Sequence, residues 1–395
     1  MKKGEFIERD ISDHIRKAAE AYPVVTICGP RQSGKTTLAR HLFPHYDYVS
    51  MESPAALAAY EHDPLAFLSR HTAPCIFDEV QNSPSLLSYL QEIIDKQNTP
   101  GMYILTGSRQ MELQQSITQS LAGRTAVVDL LPLSLAELNK AGVAMSRDEA
   151  LLYGGLPRVH SAKIAPTMAY PDYLRTYVER DVRQIVNIRN LRTFEIFLTL
   201  LASRVGQVIN YSSLANDVGV SSTTIKEWIS ILEASYIIFT LYPYYQNYGK
   251  RLTKSPKIFF TETGLVTSLL GISTPTQVGR DPLIGNIFEN LIVAEILKTR
   301  LNAGLRPNLF FFRDSNGFEI DLIIEDQRRP MPIEIKSALT FTPALTKNLR
   351  AFNAMVPDAH APALIYAGDS MGGPQGVQVL NFTQAHTVAG TGHTE

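Results

Sequence analysis

The chain has 395 residues, a formal net charge of −1 and a 45% share of hydrophobic residues. That length buries large cores and divides into two or three domains, while the lack of any run of about eighteen apolar residues excludes a membrane-spanning helix. The two cysteines, Cys28 and Cys75, sit in apolar strand-like runs and read as small buried hydrophobes, not as a disulfide or metal pair.

In chain order, residues 1–6 turn acidic too soon for a secretory leader, so the expected location is the reducing cytoplasm. Val24-Val25-Thr26-Ile27-Cys28 reads as a buried strand and Leu38-Ala39-Arg40-His41-Leu42 as a helix. Between them stands Gly29-Pro30-Arg31-Gln32-Ser33-Gly34-Lys35-Thr36-Thr37, a phosphate-binding loop in its strand–loop–helix setting. The glycines let backbone N–H groups turn toward a polyphosphate, and the helix N-terminus adds partial positive charge. Lys35 can reach the β- and γ-phosphates of ATP, and the Thr36 hydroxyl can bind Mg²⁺. Four further strands are expected at 46–50, 73–79, 103–108 and 126–130, with helical stretches such as 85–96 between them. Strands alternating with helices argue for a mainly parallel sheet covered on both faces. The strand Cys75-Ile76-Phe77 ends in Asp78-Glu79, which puts both acids at the carboxyl end, where α/β sheets bind ligands. Asp78 is the candidate for holding Mg²⁺, and Glu79 for orienting or deprotonating the attacking water.

Tyr153-Gly154-Gly155-Leu156-Pro157 reads as a domain junction. Helical sequence follows at about 168–186 and 191–202. Leu214, Ala215 and Val218 make one short apolar helix face, Gly219 a stop, and Ser221 or Ser222 a cap for a second helix carrying Ile225, Trp228, Ile229 and Leu232. Helix, glycine turn, helix is the helix-turn-helix arrangement. A strand over 234–244, a turn at 246–251 and a return strand over 257–260 complete a winged helix. Candidate DNA contacts are Thr223, Thr224 and Lys226 on the recognition helix and Lys250, Arg251 and Lys254 on the wing; the alternative is a packing module. Charge is unevenly spread. Residues 1–150 carry 14 Lys and Arg against 18 Asp and Glu, 151–260 carry 13 against 7, and 261–395 carry 10 against 13. The basic middle suits a polyanion partner or a solvated face.

In the last third, Asp321 sits among apolar residues on one strand, and Glu334 and Lys336, two apart, share one face of the next. An Asp followed by Glu-x-Lys is the metal-binding pattern of the PD-(D/E)XK nuclease fold, with Glu289 as a candidate upstream helical acid. The alternative is a structural ion cluster in an inactive nuclease-like fold. Residues 390–395 are expected to fray.

Taken together, the phosphate loop, Phe77-Asp78-Glu79, Leu121-Ala122-Gly123-Arg124, Gly154-Gly155-Leu156-Pro157, Ser230-Ile231-Leu232-Glu233-Ala234, Phe260-Thr261-Glu262-Thr263-Gly264-Leu265 and Glu334-Ile335-Lys336-Ser337 resemble a family of prokaryotic AAA-type P-loop ATPases. In that family an N-terminal AAA domain precedes a C-terminal domain of unknown function 4143, read as a winged helix plus a PD-(D/E)XK nuclease-like fold. The family's usual Asp before Thr-Gly is Glu262 here. The resemblance implies an α/β fold class: a P-loop NTPase sheet, a winged-helix region and an α/β restriction-endonuclease-like domain. The expected boundaries are 1–150 for the ATP-binding domain, 151–205 for a helical linker, 206–265 for the winged helix and 266–395 for the nuclease-like domain. By likeness to ring-forming ATPases, Ser108, with Arg109 beside it, would sense the γ-phosphate; the alternative is simply a polar strand end. Arg124 would stabilise transition-state charge in its own site or a neighbour's; the alternative is an Arg pairing with a surface acid. The expected function is an Mg²⁺-dependent ATPase switch or motor acting on DNA or a protein partner, with a homo-oligomer as the candidate assembly. The alternatives are a nucleotide-gated nuclease and a non-hydrolysing binding protein.

Overall fold

A computed structural model describes residues 6–108, 119–177, 191–245 and 254–390. The first sheet uses β1 (Val24–Cys28), β2 (Asp47–Ser50), β3 (Cys75–Asp78), β4 (Tyr103–Gly107) and β5 (Thr125–Asp129). Its order is β2-β3-β4-β1-β5, and every pairing is parallel. Helices α1 (Ser12–Ala21), α2 (Lys35–Leu42), α3 (Pro54–His62), α4 (Pro64–Arg70) and α5 (Leu86–Gln97) cover it. β1, β3 and β4 are buried along their whole lengths, which is why they read as continuous apolar runs. Adjacent residues feed opposite cores: Val24, Phe77 and Leu105 on one face, Val25, Ile76 and Ile104 on the other. The strands and the 85–96 helix lie where sequence places them, within a residue or two.

Short helices come next among the described residues. They are α6 (Leu135–Lys140), α7 (Arg147–Tyr153), α8 (Pro157–Ser161), α9 (Pro166–Tyr177), α10 (Leu191–Ala202) and α11 (Tyr211–Val218). The helix-turn-helix is α11 plus α12 (Ser222–Ala234). Asn210 and Ser221 cap the two through their side chains, and Gly219 ends the first at φ +80°. Trp228 stacks edge-on against Phe194 of α10. One sequence boundary moves: α12 continues to Ala234, so the strand expected from that residue starts only at β6 (Ile238–Pro243). The turn expected at 246–251 lies outside the described residues.

β6 pairs antiparallel with β7 (Lys257–Phe260) as a wing does, but β6 also pairs with β8 (Leu309–Arg313) through Tyr242 and Pro243. β9 (Glu319–Asp326), β10 (Arg329–Lys336), β11 (Ala363–Tyr366), β12 (Met371–Gly372) and β13 (Gln378–Asn381) complete an eight-stranded sheet, β12-β13-β11-β10-β9-β8-β6-β7. The boundary expected between 265 and 266 therefore cuts one continuous sheet. α13 (Thr263–Leu269), α14 (Pro275–Arg280), α15 (Ile284–Asn302) and α16 (Lys347–Met355) pack around it. α15 is buried on nearly all sides, and one core extends from the middle helices through it to Ala389.

Candidate functional site

The phosphate loop leaves the carboxyl end of β1 and enters α2 through Gly34, at φ +96°, a conformation open to glycine. A Cβ on Gly29 would lie 2.1 Å from the Leu130 carbonyl oxygen, so only hydrogen fits there. Lys35 is the first residue of α2 and is 4% exposed. Its Nζ donates to the carbonyls of Gly29 (3.1 Å) and Pro30 (3.0 Å), and among the described residues no carboxylate pairs with it. Burial pulls its pKa down, opposed by the charges of Glu79 and Asp78. The Ser33 hydroxyl is buried without a partner. A buried ammonium with only neutral acceptors, beside an orphaned hydroxyl and a helix N-terminus, fits a polyphosphate.

Because β4 lies between β1 and β3, it carries Thr106 and Ser108 between the loop and the acid pair. Asp78 accepts at Oδ1 from Thr36 (2.8 Å) and from Thr106, and at Oδ2 from the Tyr48 hydroxyl (2.9 Å). Thr106 Oγ1 also accepts the Glu79 N–H at 3.2 Å, so this hydroxyl is used in both directions. Glu79 stands in the left-handed region at φ +56°, a strained place for a glutamate, and its carboxylate accepts from the Gln81 amide. The Ser108 hydroxyl is buried without a partner among the described residues. Tyr48, Gln81 and Thr106 carry no motif; only the two-residue period shared by Thr106 and Ser108 marks them as facing one way.

A cavity of about 390 Å³ opens from the loop, including Gln32, Thr36 and Thr37, toward Phe6, Ile7, Leu133, Pro157, Arg158 and Ser161. Phe6 stacks on His41 at 3.9 Å. Arg158 is exposed on this wall. Behind the loop, buried Arg9 donates to the carbonyls of Ser33 (2.9 Å) and Leu131 (2.7 Å) and pairs with Glu137 at 3.0 Å. The wall is held by the junction glycines. The Gly155 carbonyl accepts from Leu133 N–H at 2.8 Å, and Gly155 N–H donates to Glu262 Oε1 at 2.8 Å. A Cβ on Gly154 would lie 2.3 Å from that same oxygen. Glu262 thus clasps the junction from beneath, which its sequence position does not reveal.

Arg124 is elsewhere. It precedes β5, beside the start of β1, and pairs with Asp95 at 2.5 Å. That is the opposite end of the sheet from the loop, so the arrangement in which Arg124 serves its own site is corrected, and the pair with Asp95 is the one expected of an Arg that meets a surface acid.

The second cluster forms, with a difference. Lys336 Nζ lies 2.7 Å from Asp321 and 2.5 Å from Glu334, and Asp321 also accepts the Ile335 N–H at 2.8 Å. Glu289, expected to join them as a metal-binding acid, instead accepts from Lys257 of β7 at 2.9 Å, and the same ammonium pairs with Glu319 at 2.6 Å. Burial alone would lower the Lys257 pKa; the two glutamates outweigh it and raise it. Burial pushes the Glu334 and Glu289 pKa values up. Among the described residues no group of three or more His, Cys, Asp or Glu is placed to hold a metal ion. Two ammonium groups thus face the three acids, with Glu289 on Lys257 and Asp321 and Glu334 on Lys336.

On α12 Thr223 and Lys226 are exposed and Thr224 is half-buried, with Lys226 over the Tyr211 ring. Lys254 is exposed; Lys250, Arg251 and Arg109 lie outside the described residues. No described helix is long and apolar enough to cross a membrane.

Comparison with known proteins agrees with this architecture. A family model described as an AAA domain matches residues 21–139, a domain of unknown function (DUF8612) matches 145–276, and another (DUF4143) matches 284–384. The uncharacterized protein Rv2008c of Mycobacterium tuberculosis is 31% identical over 365 residues, covering 91% of this chain and 80% of that protein. The uncharacterized protein MJ1637 of Methanocaldococcus jannaschii is 24% identical over 325 residues, covering 68% and 66%. Among solved structures, the Walker-type ATPase paby2304 of Pyrococcus abyssi is similar with a TM-score of 0.43 at 14% identity, covering 68% of this chain and 98% of that one. The chain belongs to the family of P-loop ATPases in which an AAA domain is joined to a C-terminal DUF4143 domain.

Proposed function

We propose that the protein binds ATP with Mg²⁺ at the loop 29–37 and hydrolyses it, using the cycle as a switch or motor on DNA or a protein partner. The observation that supports this best is Lys35, a buried ammonium held only by carbonyl oxygens beside an orphaned Ser33 hydroxyl. Lys35, Ser33 and the loop amides would hold the phosphates, and Thr36 with Asp78 would hold Mg²⁺, which neutralises phosphate charge when bound. Glu79 takes the proton of the attacking water. Ser108 stands between loop and acids as the γ-phosphate sensor. Phe6, Leu133 and Pro157 give an apolar end for the base, and Arg158 adds a cation from the segment after the junction. In an oligomer Arg124 would act across the subunit boundary.

A DNA partner is supported by the capped α11–α12 pair with Thr223, Thr224, Lys226 and Lys254, and a protein partner by the charge of α12, which sets Lys226 against Glu227 and Glu233. In the C-terminal domain the ion cluster serves structure, because each acid of Glu289, Asp321 and Glu334 already faces an ammonium.

Calorimetry and turnover assays, with and without duplex DNA, test the reading. Lys35→Ala should abolish the heat of ATP and ADP binding. Glu79→Gln should keep the binding heat and lose at least a hundredfold in turnover. Wild-type protein that gives no heat with nucleotide and Mg²⁺ overturns the reading, and normal turnover in Glu79→Gln overturns the base assignment.

A further inference from the structure

The acid at the end of β3 is unusually constrained. Asp78 is 5% exposed, and both of its carboxylate oxygens accept from hydroxyls: Oδ1 from Thr36 and Thr106, Oδ2 from Tyr48. Thr36 and Thr106 come from the loop and from the neighbouring strand. Tyr48 comes from β2, the edge of the sheet, where the register sets Ser50 opposite Asp78 and Tyr48 opposite Ile76. Tyr48 and Asp78 therefore share one face of the sheet, two positions apart along it. The phenol ring is itself fixed, because the Arg40 guanidinium of α2 lies over it at 4.7 Å from the centroid. The helix that begins with Lys35 thus also steadies the tyrosine that grips Asp78.

A carboxylate that is to share a cation with Thr36 gains from having one oxygen committed elsewhere, since it then cannot rotate when the cation arrives or leaves. Outer-shell hydrogen bonds of this kind tune metal affinity by about ten- to a hundredfold. Resting on the nucleotide reading above, we propose that Tyr48 is a positioning residue for the divalent cation. Its hydroxyl commits Asp78 Oδ2 to the protein and leaves Oδ1, the oxygen already shared with Thr36, as the one that faces the metal. Tyr48 does not touch nucleotide in this role; it acts through Asp78.

The test removes one oxygen atom, Tyr48→Phe, and reads metal affinity rather than turnover. Mn²⁺ is titrated into protein saturated with ADP, and free Mn²⁺ is followed by its electron paramagnetic resonance signal. ADP affinity is measured separately in EDTA by calorimetry. The expected result is a roughly tenfold weaker Mn²⁺ affinity for Tyr48→Phe, with ADP affinity in EDTA unchanged within about twofold. Equal Mn²⁺ affinities for variant and wild type overturn the assignment. So does a loss of ADP affinity in EDTA that matches the Mn²⁺ loss, because the hydroxyl would then serve the loop as a whole. Wild-type protein that binds no ADP under either condition is the distinct outcome that removes the nucleotide reading and this assignment together.

Discussion

Thr106 shows how single atoms decide this site. Its hydroxyl donates to Asp78 and accepts from the Glu79 backbone, so it fixes both acids at once. Thr106→Val keeps the shape and removes both bonds, leaving the half-buried Glu79 N–H and one lone pair of Asp78 unsatisfied at a cost of about 1–3 kcal/mol. We expect a melting temperature several degrees lower, turnover down at least tenfold, and ADP affinity largely kept, since the loop is untouched. Calorimetry beside a thermal melt checks this, and unchanged turnover would refute the role. The phosphate loop and Asp78-Glu79 are legible in the sequence because their chemistry needs contiguous residues. Tyr48, Thr106, Gln81 and Arg9 are not, because they reach the site only through the insertion of β4 between β1 and β3 and the return of the first residues behind the loop.

Among elements, the step from β7 into α13 carries the least expected contact. Glu262 starts that step, and the sequence shows only that a glutamate replaces the family's usual aspartate. In the structure its carboxyl clasps Gly155 while its other oxygen is buried without a partner. Burial raises its pKa to about 7, with Lys298 opposing and Glu295 adding to the rise. The folded form therefore holds a proton that the unfolded form loses near its ordinary pKa of about 4.5. The stability this group contributes is complete below that value and is lost as pH rises to about 7, on the order of 3 kcal/mol in all. Glu262→Gln keeps an oxygen for the Gly155 N–H and removes the titration. Its melting temperature relative to wild type should climb between pH 4.5 and 7 and level off above; a constant offset across that range would refute the account. The strands and helices were legible because parallel central strands are apolar throughout and the amphipathic helices carry clear caps. The joining of β6 to β8 was not legible, since strand neighbours distant in sequence leave no local mark.

At the scale of the molecule, α15 links the two ends of the chain. Near its start Glu289 meets Lys257 of β7, and Asn290 holds the Phe260 backbone at both its N–H and its carbonyl. Toward its end Glu295 accepts the Leu135 N–H, and Lys298 donates to the carbonyl of Leu133, a residue of the nucleotide cavity. Nineteen helical residues span about 28 Å, so one buried rod carries contacts to both regions, and a shift of the cavity wall has a rigid body to act on.

The shared sheet also has a bearing on how the protein can be dissected. A gene cut after codon 265 would strip β6 and β7 from β8, baring a strand edge together with the apolar side of Phe311. Such an open edge recruits other chains. The 266–395 fragment made alone should collect in inclusion bodies, whereas one begun at residue 206, which keeps the hairpin, should stay in the supernatant after centrifugation; a freely soluble, monomeric 266–395 fragment would show that the hairpin is dispensable.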